Sequence, residues 1–219
     1  MKDILIVLCT PDLQRPMARR ALHALKRTDL SRAELLIQDN AYNERFHHAS
    51  VMDDMLAYAG RRPVVFMDDD VVVDDAAWLQ KLTCAAEAGD AAIAGCVHTF
   101  ATGEPQHATI LVYRDATTEL LRELPRGLAT PAYAPAVSSA LVLVRNTDGL
   151  RFDRQFEKYQ HDVDICLAAW AAGQRVVCAN DLVVVHEQAE YMRQRPEFRD
   201  ILDRDVERLK AKWATFASS

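Results

Sequence analysis

The chain of 219 residues has no paired cysteine motif, no run of basic residues and no apolar stretch of membrane-spanning length. Each absence removes a class of function. Its five cysteines, Cys9, Cys84, Cys96, Cys166 and Cys178, are odd in number and show neither a CxxC pair nor zinc-ligand spacing, which sets aside a disulfide framework and a structural zinc site. They read as reduced core thiols. Lysines and arginines are scattered and the formal net charge is -6, so there is no basic stripe for nucleic acid or an anionic membrane surface, and an anionic small-molecule substrate would need a bridging cation. The apolar run Ile4 to Cys9 is too short for a signal-peptide core and lacks a cleavage site, and nothing approaches a membrane span. A cytoplasmic location is the resulting expectation. Internal repeats, low-complexity tracts and Gly/Ser linkers are also missing, and a 50% hydrophobic content suits one domain with a modest extension.

What is present is a short apolar run that ends in three carboxylates. Val64 to Met67 is β-branched and aromatic and reads as a buried strand; Asp68, Asp69 and Asp70 stand at its end, where three like charges repel unless solvated or bound to a cation. In extended geometry Asp68 and Asp70 point the same way, and two carboxylates together with phosphate oxygens suit Mg2+ or Mn2+. A solvated turn capping the next helix is the simpler explanation. Asp74 and Asp75 already serve that purpose ahead of a helix marked by Trp78 and Leu82, so the metal reading of the triplet is favoured.

Around this centre strands and helices alternate. Ile4 to Cys9 is a continuous apolar run broken by Thr10-Pro11, Pro16 opens a helix to about Lys26, and Glu34 to Ile37 is a strand ending in Gln38-Asp39-Asn40. Val51, Met52, Met55 and Leu56 mark a helix that stops near Gly60. Ala91 to His98, Thr109 to Tyr113, Ala140 to Val144, Val176 to Cys178 and Leu182 to Val185 read as further strands, and Asp162 to Ala172 as a helix closed by Gly173. Pro105, Pro125, Pro131 and Pro135 fall between Phe100 and Ala136, a segment expected to shape the substrate. Pro196 opens a last helix whose stripe of Leu202, Val206, Leu209, Trp213 and Phe216 would pack on the body or on a second copy.

The pattern predicts an α/β fold with a mostly parallel central sheet flanked by helices and a C-terminal amphipathic helix. Thr10, Asp39 and the triplet then lie at the C-terminal edges of the first three strands, where nucleotides commonly sit. Asp39 has equal claims as a base or ribose contact and as a cap on its own turn. Asp162 and Asp164 stand at the mouth of a helix, where the dipole favours carboxylates with no catalytic role. His186 ends a strand, either as an edge residue or as an imidazole completing a carboxylate metal site.

In this order the features resemble glycosyltransferases of the GT-A fold, specifically the large inverting family 2. The resemblance rests on Thr10-Pro11, Asp39-Asn40, Asp68-Asp69-Asp70, Phe152-Asp153, Phe156, Tyr159, His161 to Asp164, Gly173-Gln174-Arg175-Val176 and His186, and it covers roughly Ile4 to His186. It implies a nucleotide-diphospho-sugar transferase with a donor of the UDP, GDP or TDP type, a hydroxyl acceptor, and Mn2+ or Mg2+ as cofactor. A single catalytic domain over 1–190, with a nucleotide half at about 1–98 and an acceptor half at about 99–190, would be followed by a helical extension over 191–219. Carried over by residue, Asp39 resembles the base contact, Asp68 a ribose or metal-water contact, Asp70 the metal ligand and His186 the histidine near metal and diphosphate, with Thr10, Pro11 and Asp69 also in the nucleotide-sugar site. Asp162 is the implied general base, giving inversion at the anomeric carbon. Arg195, with Arg193, would either close over the diphosphate or stand as solvated charges at a helix start, and Ser138, Ser139, His161 and Asp164 would lie on the acceptor side.

The sequence departs from the family at three places: His161 replaces the acidic residue common before the base, Ser138-Ser139-Ala140 lacks the usual glycine, and Ala168 stands where many relatives have arginine. Two other classes stay open. In a haloacid dehalogenase-like phosphatase Asp68 would be the phosphorylated nucleophile and Asp70 its acid, although that family carries its motif on the first strand. A phosphohydrolase using His161-Asp162 as a metal pair, with His47-His48 as further candidates, would sit in an all-helical surround, which the strands oppose. A GT-A-like domain that binds a nucleotide sugar without turnover is the nonenzymatic alternative, and the C-terminal stripe would serve intramolecular packing or a homo-oligomer equally.

Overall fold

The computed structural model describes residues 2–41, 47–124, 128–145, 149–187 and 197–214; Arg193, Arg195, Pro196 and Phe216 lie outside them. In chain order the elements are β1 (Ile4–Thr10), α1 (Pro16–Lys26), β2 (Ala33–Asp39), α2 (His48–Ala59), β3 (Val64–Asp68), β4 (Val71–Val72), α3 (Trp78–Ala88) and β5 (Ile93–Thr99). They continue as β6 (Pro105–His107), β7 (Thr109–Val112), β8 (Thr118–Leu121), β9 (Ala132–Tyr133), β10 (Leu141–Val144), α4 (His161–Ala171), β11 (Val176–His186) and α5 (Phe198–Trp213).

The main sheet runs β2-β1-β3-β10-β5-β11-β4, with β6 added to β5 and β9 to β11. β1 pairs parallel with β2 and β3, and β5 with β11, while β10 lies antiparallel between β3 and β5. β1 is fully buried, and the two-residue period of a strand divides it between two cores. Ile4, Ile6 and Leu8 join Ala21 and Leu25 of α1 and Trp78 and Leu82 of α3; Leu5, Val7 and Cys9 join Met52 and Leu56 of α2, Val163 and Ile165 of α4, and Leu209 and Trp213 of α5. The result is three layers, with the sheet in the middle. The chain moves from β1 outward to β2, then crosses back to β3 on the other side of β1, and the opening left between these two directions is where an open α/β sheet takes its ligand.

Four expectations change. The two last strands are one, β11, which keeps its pairing with β5 across a register shift between Ala179 and Val183. Thr109–Val112 leaves the main sheet for a hairpin with β8. Cys84 is exposed, while the other four thiols are free and buried. The inward face of α5 is Ile201, Asp205, Leu209 and Trp213, with Leu202 and Val206 half-buried. The expected stripe shares Leu209 and Trp213 with this face but not Ile201 and Asp205, because one core position is a carboxylate: Asp205 accepts hydrogen bonds from the backbone N–H groups of Glu157, Lys158 and Tyr159 at 2.9–3.1 Å and pairs with Arg208 at 2.8 Å, so its burial is compensated.

Candidate active site

The acidic triplet begins where β3 ends. Parallel register sets Cys9 beside Asp68 and Thr10 beside Asp39, and the Asp68 N–H donates to the Ala140 carbonyl at 2.9 Å. The chain then turns into β4, whose Val71 and Val72 pair antiparallel with His186 and Val185; the Glu187 N–H donates to the Asp70 carbonyl at 2.8 Å. That short ladder carries His186 from a distant part of the chain to the triplet. Donor atoms of Asp68, Asp70 and His186 lie within 4.8 Å of one another, and His186 Nε2 is 3.4 Å from Asp70 Oδ1. Two carboxylates and an imidazole suit Mn2+ or Mg2+ with substrate oxygens completing the shell. Asp69 points elsewhere, accepting from Thr10 Oγ1 at 2.8 Å and Arg15 Nη1 at 3.1 Å.

The electrostatics mark a site that favours a cation. Desolvation pushes the Asp68 pKa up to about 6, with Lys158 opposing and Asp70 assisting. Burial also raises Asp69, against the Thr10 hydrogen bond and Arg15. At His186 burial disfavours the proton, but the hydrogen bond to Asp70 and the charges of Asp70 and Asp68 outweigh it, and the pKa is raised. A proton on the imidazole stands where a metal would otherwise satisfy the carboxylates. His186 Nδ1 meets Gln106 Oε1 at 2.7 Å. His98 and His107 lie behind it, their rings 4.4 Å apart and 5.7 and 6.2 Å from His186. Burial holds both neutral, His107 at about 4.

A second polar cluster lies at the mouth of α4. Asp162 Oδ2 accepts from the Ser139 N–H at 3.3 Å and Oδ1 from the Val163 N–H at 2.9 Å, so the carboxylate bridges the turn before β10 and the first turn of the helix. Ser139 Oγ is 3.2 Å from His161 Nε2. His161 is buried and its pKa lowered to about 4, chiefly by desolvation. Its ring meets the edge of His48 at 4.9 Å, and His48 Nε2 reaches Asp68 Oδ1 at 3.5 Å. The two clusters therefore share a wall. Ser138 Oγ accepts from the Ala140 N–H at 3.2 Å and shapes this turn.

Other predicted residues are placed as follows. Asp39 sits exposed at the end of β2 and accepts from the Leu13 and Ala41 N–H groups at 3.3 and 3.1 Å, beside Pro11 and Thr10. Asn40 ties this edge to β1 through Nδ2 to the Thr10 carbonyl at 3.0 Å. Asp164 turns away from Asp162 into the core, accepting from Trp213 Nε1 at 2.7 Å and pairing with Lys212 at 2.9 Å; it anchors α5. Asp75 holds the Ala77 N–H at 2.8 Å one step before α3, whereas the helix's own first position has no side-chain cap. Arg195 is outside the described residues. Sequence reasoning missed Gln106, His98, His107 and Lys158, whose Nζ is 3.3 Å from His48 Nδ1, and placed His48 only in the phosphohydrolase alternative. Only the polar residues inside apolar runs, His98 above all, carried any signal.

No family model matches the chain. Among curated proteins, the O-antigen biosynthesis protein RfbC of Myxococcus xanthus is 26% identical over 160 residues, which cover 68% of this chain but 12% of that protein; this chain thus corresponds to a small part of it. Among solved structures, mannosyltransferase PcManGT from Pyrobaculum calidifontis in complex with GDP-Man and Mn2+ superposes with a TM-score of 0.58 at 14% identity, covering 98% of this chain and 73% of that one. S. aureus TarS 1-349 in complex with UDP-GlcNAc gives 0.60 at 12% identity, covering 91% and 64%. A197 from STIV gives 0.53 at 15% identity, covering 85% and 86%. At these identities the likeness is one of fold.

Proposed function

We propose that this chain, which has the GT-A fold of glycosyltransferases, transfers a sugar from a nucleotide-diphosphate donor to an acceptor hydroxyl with inversion. The observation that carries the reading is the convergence of Asp68, Asp70 and His186 at the sheet edge where such folds take a nucleotide. Residues of about 1–98 would bind the nucleotide, with Asp39, Thr10 and Pro11 along the base and ribose and Asp69 keeping Thr10 and Arg15 in place. Residues of about 99–190 would bind the acceptor. Asp70 and His186, with Asp68 directly or through water, would hold Mn2+ or Mg2+. A divalent cation there neutralises charge on a departing diphosphate.

Asp162 is the base in this reading. Two backbone hydrogen bonds hold the carboxylate and leave lone pairs for an acceptor proton. Ser139, held on His161, lies beside it to orient the acceptor hydroxyl. Burial keeps His161 neutral beside it. Among the described residues no helix is long and apolar enough to cross a membrane. The RfbC likeness supports a role in O-antigen biosynthesis, and PcManGT and TarS support donors of the GDP and UDP type.

The test is a thermal shift with Mn2+ and each of UDP, GDP and TDP, followed by a nucleotide-sugar screen reading released diphosphate. One nucleotide with Mn2+ is expected to raise Tm, by an amount set by its concentration over Kd. No shift with any of the three rejects the transferase reading.

A further inference from the structure

Gln106 reaches His186 twice. Its Oε1 is 2.7 Å from His186 Nδ1 and its Nε2 is 3.4 Å from the His186 backbone carbonyl. A carbonyl only accepts, so the amide nitrogen belongs on that side and the amide oxygen faces the ring. An oxygen facing Nδ1 requires Nδ1 to carry a hydrogen, which directs Nε2, 3.4 Å from Asp70 Oδ1, into the acidic pair. Gln106 is itself buried, as are His98 and His107 behind the ring, and β6 is held to β5 through His98 opposite His107. The imidazole is therefore oriented from behind by one amide and a wall of two rings.

We propose that Gln106 is a positioning residue that presents His186 Nε2 as a metal ligand and thereby sets a preference for Mn2+ over Mg2+. The inference rests on the metal reading of Asp68, Asp70 and His186. Outer partners of a ligating histidine fix its tautomer and raise its basicity, and losing one typically weakens metal binding about 10–100-fold. Mg2+ favours oxygen ligands and draws little from an imidazole, whereas Mn2+ accepts nitrogen more readily. Loss of Gln106 should consequently fall on Mn2+.

The experiment titrates the intact chain with Mn2+ alone, read by the EPR signal of the free ion, and measures Mg2+ by competition. Gln106→Met keeps the shape and removes the acceptor; it is expected to weaken Mn2+ about 10–100-fold and Mg2+ far less. Gln106→Glu, which still accepts from Nδ1–H, is expected to restore Mn2+ binding. In a His186→Ala background Gln106→Met should add nothing. Equal loss of both metals, unchanged Mn2+ binding with Gln106→Met, or full additivity with His186→Ala would each overturn the proposal. So would Gln106→Glu behaving like Gln106→Met with an unaltered metal-free Tm. If the parent chain binds no Mn2+ yet gains Tm with a nucleoside diphosphate, the metal role fails while nucleotide binding survives.

Discussion

Asp68-Asp69-Asp70 and Asp162-Val163-Asp164 both carry carboxylates at alternate positions, and the fold uses them in opposite ways. The first leaves a strand and crosses a turn, so its outer members converge with His186 and its middle member is paired with Thr10 and Arg15. The second sits in the first turn of α4, where residues two apart are turned by about 200°. Asp162 consequently points to the turn before β10, where it accepts from the Ser139 N–H, and Asp164 to the core, where it holds Trp213 and Lys212. Identical spacing thus gives one concentrated charge in the first case and one turn-bridging carboxylate plus one structural anchor in the second.

The sharpest way to break this comparison is Asp70→Asn. It should abolish the Tm gain from Mn2+ plus nucleotide and lower transfer by about a thousandfold or more, as befits several kcal/mol of charge stabilisation; a retained shift would remove Asp70 from the metal site. Asp162→Asn should lower transfer about 10²–10⁴-fold, with nucleotide binding unchanged by calorimetry. Full transfer by that variant would show that the acceptor proton leaves by another route. Asp164→Ala should do the reverse, costing about 3 kcal/mol in denaturant unfolding because it leaves a buried pair half broken, while Mn2+ affinity stays at the parent value. A loss of Mn2+ affinity there would mean that the two acidic stretches are not separate in function.

Protonation gives the smallest effect. Asp68, raised to about 6, takes up a proton as pH falls, and so does His186, which is raised as well; both compete with a cation. Mn2+ affinity should be full above these pKa values and fall as pH drops through them, about twofold from Asp68 alone at pH 6 and about tenfold per unit below it. A Mn2+ affinity flat between pH 5 and 8 would contradict the placement of Asp68 at the site.

Much of this was legible in the chain. Uninterrupted apolar runs gave β1 and β3, Pro16 opened α1, and the stop at Gly60, whose φ is +64°, ended α2. The acidic strand end stood out because three like charges at an apolar boundary conflict with local physics. Other features were hidden by the same kind of reasoning. The inward face of α5 is only half legible, through Leu209 and Trp213, because Asp205 is polar and its three backbone partners lie in a separate loop. Lys158 gives no signal and His47-His48 points to a different chemistry, since polar residues at the start of a helix or in a loop look the same whether they face solvent or Asp68.

By itself the sequence determined which segments are strands and helices and that carboxylates stand at two strand or helix ends, because those depend on residue type and on periods of 2 and 3.6. Only the tertiary structure decided which polar groups meet. His186 reaches Asp70 because β4 pairs with the end of β11, and Gln106 reaches His186 because β6 lies along β5. Pairings between distant strands are fixed by the whole sheet, and no local stretch of chain encodes them.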